Sequence, residues 1–200
     1  MSENIKQAIK DIQNGKPIII ADDHDREGEC DLVIATEKAT RENIVFLMNF
    51  GKGLMCVPCS GDILDKLGLP PMIENNEDPF GTGFAISADA IGTKTGMSVD
   101  DRLKTLAVFV DDDACESDLT RPGHLFGLRA KNGLLAKRDG HTESSLEMVK
   151  LAGFKLSSVI VEVINSDGSM TSGSQIPEYA KKHGLTLVHS SDLKEYIYGS

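Results

Sequence analysis

Pro17-Ile18-Ile19-Ile20-Ala21 runs directly into Asp22-Asp23-His24-Asp25-Arg26-Glu27-Gly28-Glu29-Cys30-Asp31, and Leu32-Val33-Ile34-Ala35 follows. The first run reads as a buried strand, and 32–35 as a second strand on the far side of the loop. The ten residues between them hold six carboxylates. Crowded like charges raise one another's pKa. A hard divalent cation such as Mg²⁺, which prefers carboxylate oxygen, would relieve the repulsion. Arg26 and His24 add a cationic and a titratable group to the same loop. A charge run is commonly just a solvated face. This one starts where a buried strand ends, a usual position for sites in α/β proteins.

Working outward, helical and extended patterns alternate. Ile5, Ala8, Ile9 and Ile12 repeat at helical spacing, and Gly15 ends that helix. Thr40 can cap a helix through Phe50 and Ser60 a short one ending at Gly68, while Ser98 caps a helix carrying Leu103, Leu106 and Val110. Ser144-Ser145-Leu146-Glu147 fits a capping box, with Gly153 closing that helix. Pro177 opens a helix ended by Gly184, and 191–198 forms the last one. Further strands are predicted at 54–57, 83–87, 124–129, Val159 to Ile164 and Leu185 to Val188. The pattern is mixed α/β in one layered domain.

Composition narrows the function. Two hundred residues with 40% hydrophobic and 26% charged content describe an ordinary globular chain. No apolar stretch reaches membrane-span length, and Met1 to Asp11 lacks the apolar core of a signal peptide. A net charge of −10 without a basic run argues against nucleic-acid binding. An anionic ligand must therefore be held by a local positive cluster. Cys30, Cys56, Cys59 and Cys115 are too few and scattered for a disulfide framework, and read as reduced, mostly buried thiols of a cytosolic chain.

Four constellations carry chemistry. The acidic loop fits an EF-hand only until its twelfth position, Ile34, where a bidentate glutamate is required. Arg138-Asp139-Gly140-His141-Thr142-Glu143 precedes a helix, and free N–H groups, a hydroxyl and an arginine make a phosphate cradle. His141 could also ligate a metal; plain N-capping by Thr142 or Ser144 is the simpler alternative. Arg121-Pro122-Gly123-His124 reads as a rigid turn into a strand, with a histidine able to act as acid or base. Glu162 sits inside Val159-Ile160-Val161-Glu162-Val163-Ile164, apolar on both faces, where a carboxylate is costly unless paired or functional. The polar, glycine-rich stretch Glu74 to Phe84 could serve as a lid.

The acidic loop, Leu69-Pro70-Pro71-Met72, Gly81-Thr82-Gly83-Phe84, Thr95-Gly96-Met97-Ser98, Arg121-Pro122-Gly123-His124, Gly140-His141-Thr142-Glu143 and Leu151-Ala152-Gly153-Phe154 occur in one order. In that order they resemble the 3,4-dihydroxy-2-butanone 4-phosphate synthase family of riboflavin biosynthesis, across about residues 4 to 197. The resemblance implies an α/β (α+β) fold: a three-layer α/β/α-type single domain with a mixed sheet, spanning 1–200. It implies the stand-alone form, without a fused GTP cyclohydrolase II domain. It implies a cytoplasmic lyase that converts D-ribulose 5-phosphate into L-3,4-dihydroxy-2-butanone 4-phosphate and formate. The route is metal-assisted acid/base chemistry through an enediolate, loss of water and a skeletal rearrangement. Mg²⁺ or Mn²⁺, two per active site, would be held by Glu27 and His141. Arg26, Glu27, Asp31, Arg138, Asp139, Gly140, His141, Thr142 and Glu162 would bind the sugar phosphate. His124 and Glu162 would be the catalytic pair. The family forms homodimers with shared active sites, the counterpart of His124 reaching in from the neighbour; neither nucleic acid nor membrane is a partner. A metal-assisted sugar-phosphate isomerase or phosphatase is the rival enzyme class, and formate release separates them. The chain departs from the common family pattern at Cys30, which adds bulk beside Asp31, and at Asp139, which adds negative charge beside the phosphate site.

Overall fold

β1 (Ile18–Ala21) lies near one edge of a seven-stranded sheet, antiparallel to β2 (Cys30–Ala35) and parallel to the edge strand β7 (Leu187–His189). β2 continues antiparallel to β6 (Ser158–Glu162), which touches β3 (Cys56–Cys59). β3 runs parallel to β5 (Leu119–Arg129), and β4 (Phe84–Ala90) closes the far edge antiparallel to β5. The sheet is therefore mixed, in the order β4-β5-β3-β6-β2-β1-β7. This computed structural model describes residues 2–23 and 26–199; His24 and Asp25 of the acidic loop lie outside the described residues, as do Met1 and Ser200.

Strand alternation sends each central strand into two cores. Ile18 and Ile20 enter one with Val33, Ala35 and Ile160, while Ile19, Ala21, Leu32, Ile34 and Val161 enter the other. The first core is covered by α1 (Ser2–Gln13), α5 (His141–Leu151) and α7 (Ser190–Tyr198), through Ile5, Ala8, Leu146, Val149 and Leu193. The second is covered by α2 (Arg41–Phe50), α3 (Gly61–Lys66), α4 (Val99–Val110) and α6 (Gln175–His183), through Ile44, Leu47, Leu64, Phe109 and Ile176. This is the expected three-layer architecture. Each fully buried isoleucine contributes about 1.5–3 kcal/mol of transfer free energy, so the isoleucine runs anchor both layers.

Several boundaries differ from the sequence reading. α5 begins at His141, not near Ser144, and its N-cap is Gly140 with no side-chain cap bond. The serine hydroxyls of the expected capping box are spent elsewhere: Ser144 donates to Ser190 Oγ at 3.0 Å and Ser145 to the Thr142 carbonyl at 2.9 Å. Arg121 to His124 is not a turn before a strand but lies within β5. β3 begins two residues later than predicted and contains Pro58. Ser60 makes no cap bond, whereas Thr40 and Ser98 cap as expected. Cys30, Cys56 and Cys59 are buried thiols, but Cys115 is exposed.

Candidate active site

The register of β2 and β6 decides the site. Asp31 pairs with Glu162, so two acidic residues face each other at the ends of adjacent strands. By alternation both side chains lie on the α5 face, because Ile160 and Val33 enter the core beneath α5. The start of α5 brings His141 and Thr142 over them, and the acidic loop brings Arg26 and Glu27. Arg26, Glu27, Glu29, Asp31, Arg138, His141, Thr142 and Glu162 line one pocket, floored by Cys56, Leu128 and Ile160.

Its electrostatics are uneven. Arg26 pairs with Asp22 and, at 2.9 Å, with Glu27. His141 Nδ1 lies 3.5 Å from Glu27 Oε2 and 3.8 Å from Asp22 Oδ2. Burial alone would raise the Glu27 carboxyl, but His141, Arg26 and Arg138 together outweigh it and hold it below the usual carboxylate range. Asp31 has no such partner set. Burial, then the charges of Glu162, Glu27 and Asp22, push its carboxyl up against the pull of His141. Burial likewise raises Glu162, with Glu27 adding to it, against the backbone N–H groups of Glu162 and Leu54 and the charge of His141. Burial lowers His141, yet the ring of acids, Asp31 first, raises it to about 9.

Asp22, Glu27 and His141 each present a ligand atom, all within 4.8 Å of one another. Among the described residues, the buried side-chain atoms without a hydrogen-bond partner are Asp22 Oδ1, Asp31 Oδ1, His141 Nε2 and Glu162 Oε2. Four orphaned acceptor or ligand atoms in one region leave coordination capacity that the protein itself does not satisfy. Carboxylate oxygen with one imidazole suits a divalent ion.

The early start of α5 improves the anion cradle. The first N–H groups of a helix have no intrahelical acceptor, and here no side chain caps them. Arg138 lies at this end but also ties down the glycine-rich loop. Its guanidinium donates to Glu143 at 2.6 Å, to the Phe80 carbonyl at 3.0 Å and to Thr82 Oγ1 at 3.0 Å. The Phe80 ring packs on Arg26, 5.2 Å from the guanidinium carbon. The loop around residue 80 thus hangs on the two arginines of the pocket.

Seven sequence-predicted residues converge here: Arg26, Glu27, Asp31, Arg138, His141, Thr142 and Glu162. Gly140 caps the helix beside them. Asp139 turns away and pairs with Lys194 at 2.8 Å, which neutralises the charge that the sequence places beside the cradle. The Cys30 thiol belongs to the opposite core, nearest the Thr171 carbonyl, so its bulk does not enter the pocket. His124 lines a different pocket, with Met48, Leu54, Met97 and Arg102. Asp22 and Glu29 belong to the acidic run, but nothing in the sequence singles them out; only the folded loop distinguishes them from Asp23, which accepts from Ser191.

Fold and pocket together define a three-layer α/β protein whose sheet end carries an acidic, imidazole-containing pocket suited to a divalent cation and an anionic ligand. Comparison with known proteins is specific. The family model for 3,4-dihydroxy-2-butanone 4-phosphate synthase matches residues 6–196. The riboflavin biosynthesis protein RibBA of Staphylococcus saprophyticus is 41% identical over 195 residues, covering 97% of this chain and 49% of the relative. The 3,4-dihydroxy-2-butanone 4-phosphate synthase of Photobacterium phosphoreum is 44% identical over 192 residues, covering 96% of this chain and 53% of the relative. This chain thus spans about half the length of these relatives. A solved 3,4-dihydroxy-2-butanone 4-phosphate synthase in complex with two magnesium ions superposes with a TM-score of 0.92 at 33% identity, covering 96% of this chain and 95% of that one. The chain belongs to the 3,4-dihydroxy-2-butanone 4-phosphate synthase family.

Proposed function

We propose that this chain converts D-ribulose 5-phosphate into L-3,4-dihydroxy-2-butanone 4-phosphate and formate, as a single cytoplasmic domain over residues 1–200. The observation that carries the reading is the pocket itself: ionised Glu27 beside His141, and the raised carboxyls of Asp31 and Glu162 across one strand pair. Its divalent-ion requirement is supported by the orphaned atoms and by a structural relative that binds magnesium. Mg²⁺ or Mn²⁺, two per site, would be held by Glu27 and His141, with Asp22 within reach of the same position. The ions supply Lewis-acid polarisation of substrate oxygens.

The protein's own groups have separable tasks. The N–H groups at the start of α5 and the side chains of Arg138, Gly140, His141 and Thr142 anchor the phosphate, with Asp139 held aside by Lys194. Arg26 and Glu27 orient the sugar hydroxyls. Asp31 and Glu162 have carboxyls raised by burial, which fits groups that take and return protons more than once in a turnover. The loop around Phe80, fastened by Arg26 and Arg138, excludes water from the reacting carbons.

His124 completes the acid/base set from a second copy. It lies in a separate pocket among Met48, Leu54 and Met97, all exposed apolar side chains. A homodimer would cover that face and carry His124 toward the other protomer's pocket, giving shared active sites. The reading includes no nucleic-acid or membrane partner. The chain has net charge −10, and no helix among the described residues is long and apolar enough to cross a membrane.

The test is a proton NMR time course with D-ribulose 5-phosphate, in Mg²⁺ and in EDTA. Metal-dependent formate together with a four-carbon ketose phosphate is expected. Substrate left intact, isomerised or dephosphorylated by well-folded protein would overturn the proposal.

A further inference from the structure

We infer that Asp89 is a positioning residue for His124, fixing the imidazole in one tautomer so that Nε2 is the nitrogen free to exchange protons. The inference rests on His124 serving as an acid/base group in the proposed function. It starts from the interruption of the β4–β5 ladder. Ala88 pairs with Leu125, but the next residue, Asp89, pairs with Thr120. Four residues of β5, Arg121 to His124, are therefore extruded opposite a single peptide of β4.

Each extruded residue is accommodated by a specific device, and Arg121 donates from Nε to the Gly68 carbonyl at 3.0 Å. Pro122 has no N–H to leave unpaired. Gly123 donates to Ser87 Oγ at 3.2 Å and packs so tightly that a Cβ there would lie 2.1 Å from the Ala88 carbonyl carbon. His124 is then gripped twice by one carboxylate. Its backbone N–H donates to Asp89 Oδ1 at 3.0 Å, and its ring Nδ1 lies 2.7 Å from Asp89 Oδ2. Asp89 is 6% exposed, whereas the His124 side chain is 46% exposed. The carboxylate is thus a buried fixture and the imidazole a presented group.

A second loop walls the pair. Gly96 has φ +72°, and a Cβ at that position would meet Asp89 Oδ2 at 2.1 Å and His124 Nδ1 at 2.4 Å. That loop is itself tied down by Asp101, which accepts from the backbone N–H groups of Lys94 and Thr95, each at 3.2 Å. The Asp89–His124 contact is closed from the side by backbone that cannot easily move. An ionised carboxylate can only accept, so the proton on a neutral imidazole must sit on Nδ1. Nε2 then carries the lone pair, which is what a base at that position requires.

Asp89→Asn is nearly isosteric and inverts this logic. The amide oxygen continues to accept from the His124 N–H, which turns the amide NH₂ against Nδ1. Nδ1 must then accept, and the ring proton moves to Nε2. In ¹⁵N NMR of uniformly labelled protein, wild type is expected to show the Nδ1–H tautomer of His124 and Asp89→Asn the Nε2–H tautomer. Formate release from D-ribulose 5-phosphate with Mg²⁺ should fall on the order of 10²–10⁴-fold in kcat, with KM little changed. Asp89→Ala, lacking either group, should show mixed tautomers and an intermediate loss. An Nε2–H tautomer in wild type, or Asp89→Asn with wild-type turnover, would overturn the inference. His124→Ala separates the two levels. If it keeps wild-type turnover, the acid/base role of His124 fails, while the spectra still decide whether Asp89 sets the ring.

Discussion

Metal binding at the pocket should expel a proton, and the amount follows from His141. In the metal-free protein its imidazole is raised to about 9, because Asp31, Glu27 and Asp22 outweigh the effect of burial. A ligating imidazole must be neutral, so binding competes with that proton. With a pKa of about 9, apparent Mg²⁺ affinity should rise roughly 90-fold between about pH 6 and pH 8. An unperturbed histidine would give only about fourfold over the same interval. The contrast is large enough for isothermal titration of metal-free protein, run without substrate. Repeating the titration in two buffers of different ionisation enthalpy counts the protons directly, and about one per imidazole is expected. The raised carboxyls of Asp31 and Glu162 can only steepen the dependence. A fourfold change or less, with no proton released, would refute the reasoning: either the acids do not hold His141 protonated, or His141 does not meet the metal.

Two further outcomes follow from the same pocket. Glu162→Gln should fold normally, since Glu162 Oε2 makes no hydrogen bond that the amide would lose, and formate release should drop on the order of 10²–10⁴-fold; near-normal turnover would remove its acid/base role. The metal-free protein should lose stability as pH rises: the folded pKa of His141, about 9, exceeds the ordinary 6.5, so its contribution of about 3 kcal/mol is complete below pH 6.5 and lost as pH passes 9. Raised carboxyls have the same sign, so a melting temperature that stays flat or climbs from pH 6.5 to 9 in EDTA would contradict the pocket's electrostatics.

Much of this was legible in the chain. The isoleucine runs give buried strands because apolar residues at consecutive positions require cover on both faces, and Thr40, Ser98, Gly153 and Gly184 mark helix ends by local chemistry. What the chain hides is pairing. Glu162 reads as an anomaly in an apolar strand, but nothing local says that Asp31 lies opposite; that depends on the β2–β6 register. The start of α5 is hidden because Ser144 and Glu147 imitate a capping box, whereas their partners, Ser190 and Tyr198, lie in α7. Arg121-Pro122-Gly123-His124 has every local mark of a turn, and only its pairing across β4 makes it an extruded segment of a strand. Asp139 and Cys30 look disruptive in sequence because the sequence shows neither Lys194 beside the first nor the opposite facing of the second.

The density of acid around residue 22 poses a question that the fold answers by sorting. Arg26 engages Asp22 and Glu27 from one side and His141 approaches them from the other, so these carboxylates sit among cations. Asp23 is spent on Ser191. Asp31 heads the strand that follows, fully buried and facing Glu162, where burial and like charge push its carboxyl up against the pull of His141. The same residue type is thereby divided into groups able to hold a cation and groups able to carry a proton. That division needs both kinds within one small pocket, and a single β-strand supplies it. Its preceding loop exposes Asp22 and Glu27 to Arg26, and its first turns of pleat carry Asp31 beneath α5. Moving Asp31 by one residue would place it with Cys30 and Leu32 against α2 and α6, away from His141. The alternation that builds the core therefore also assigns the chemistry.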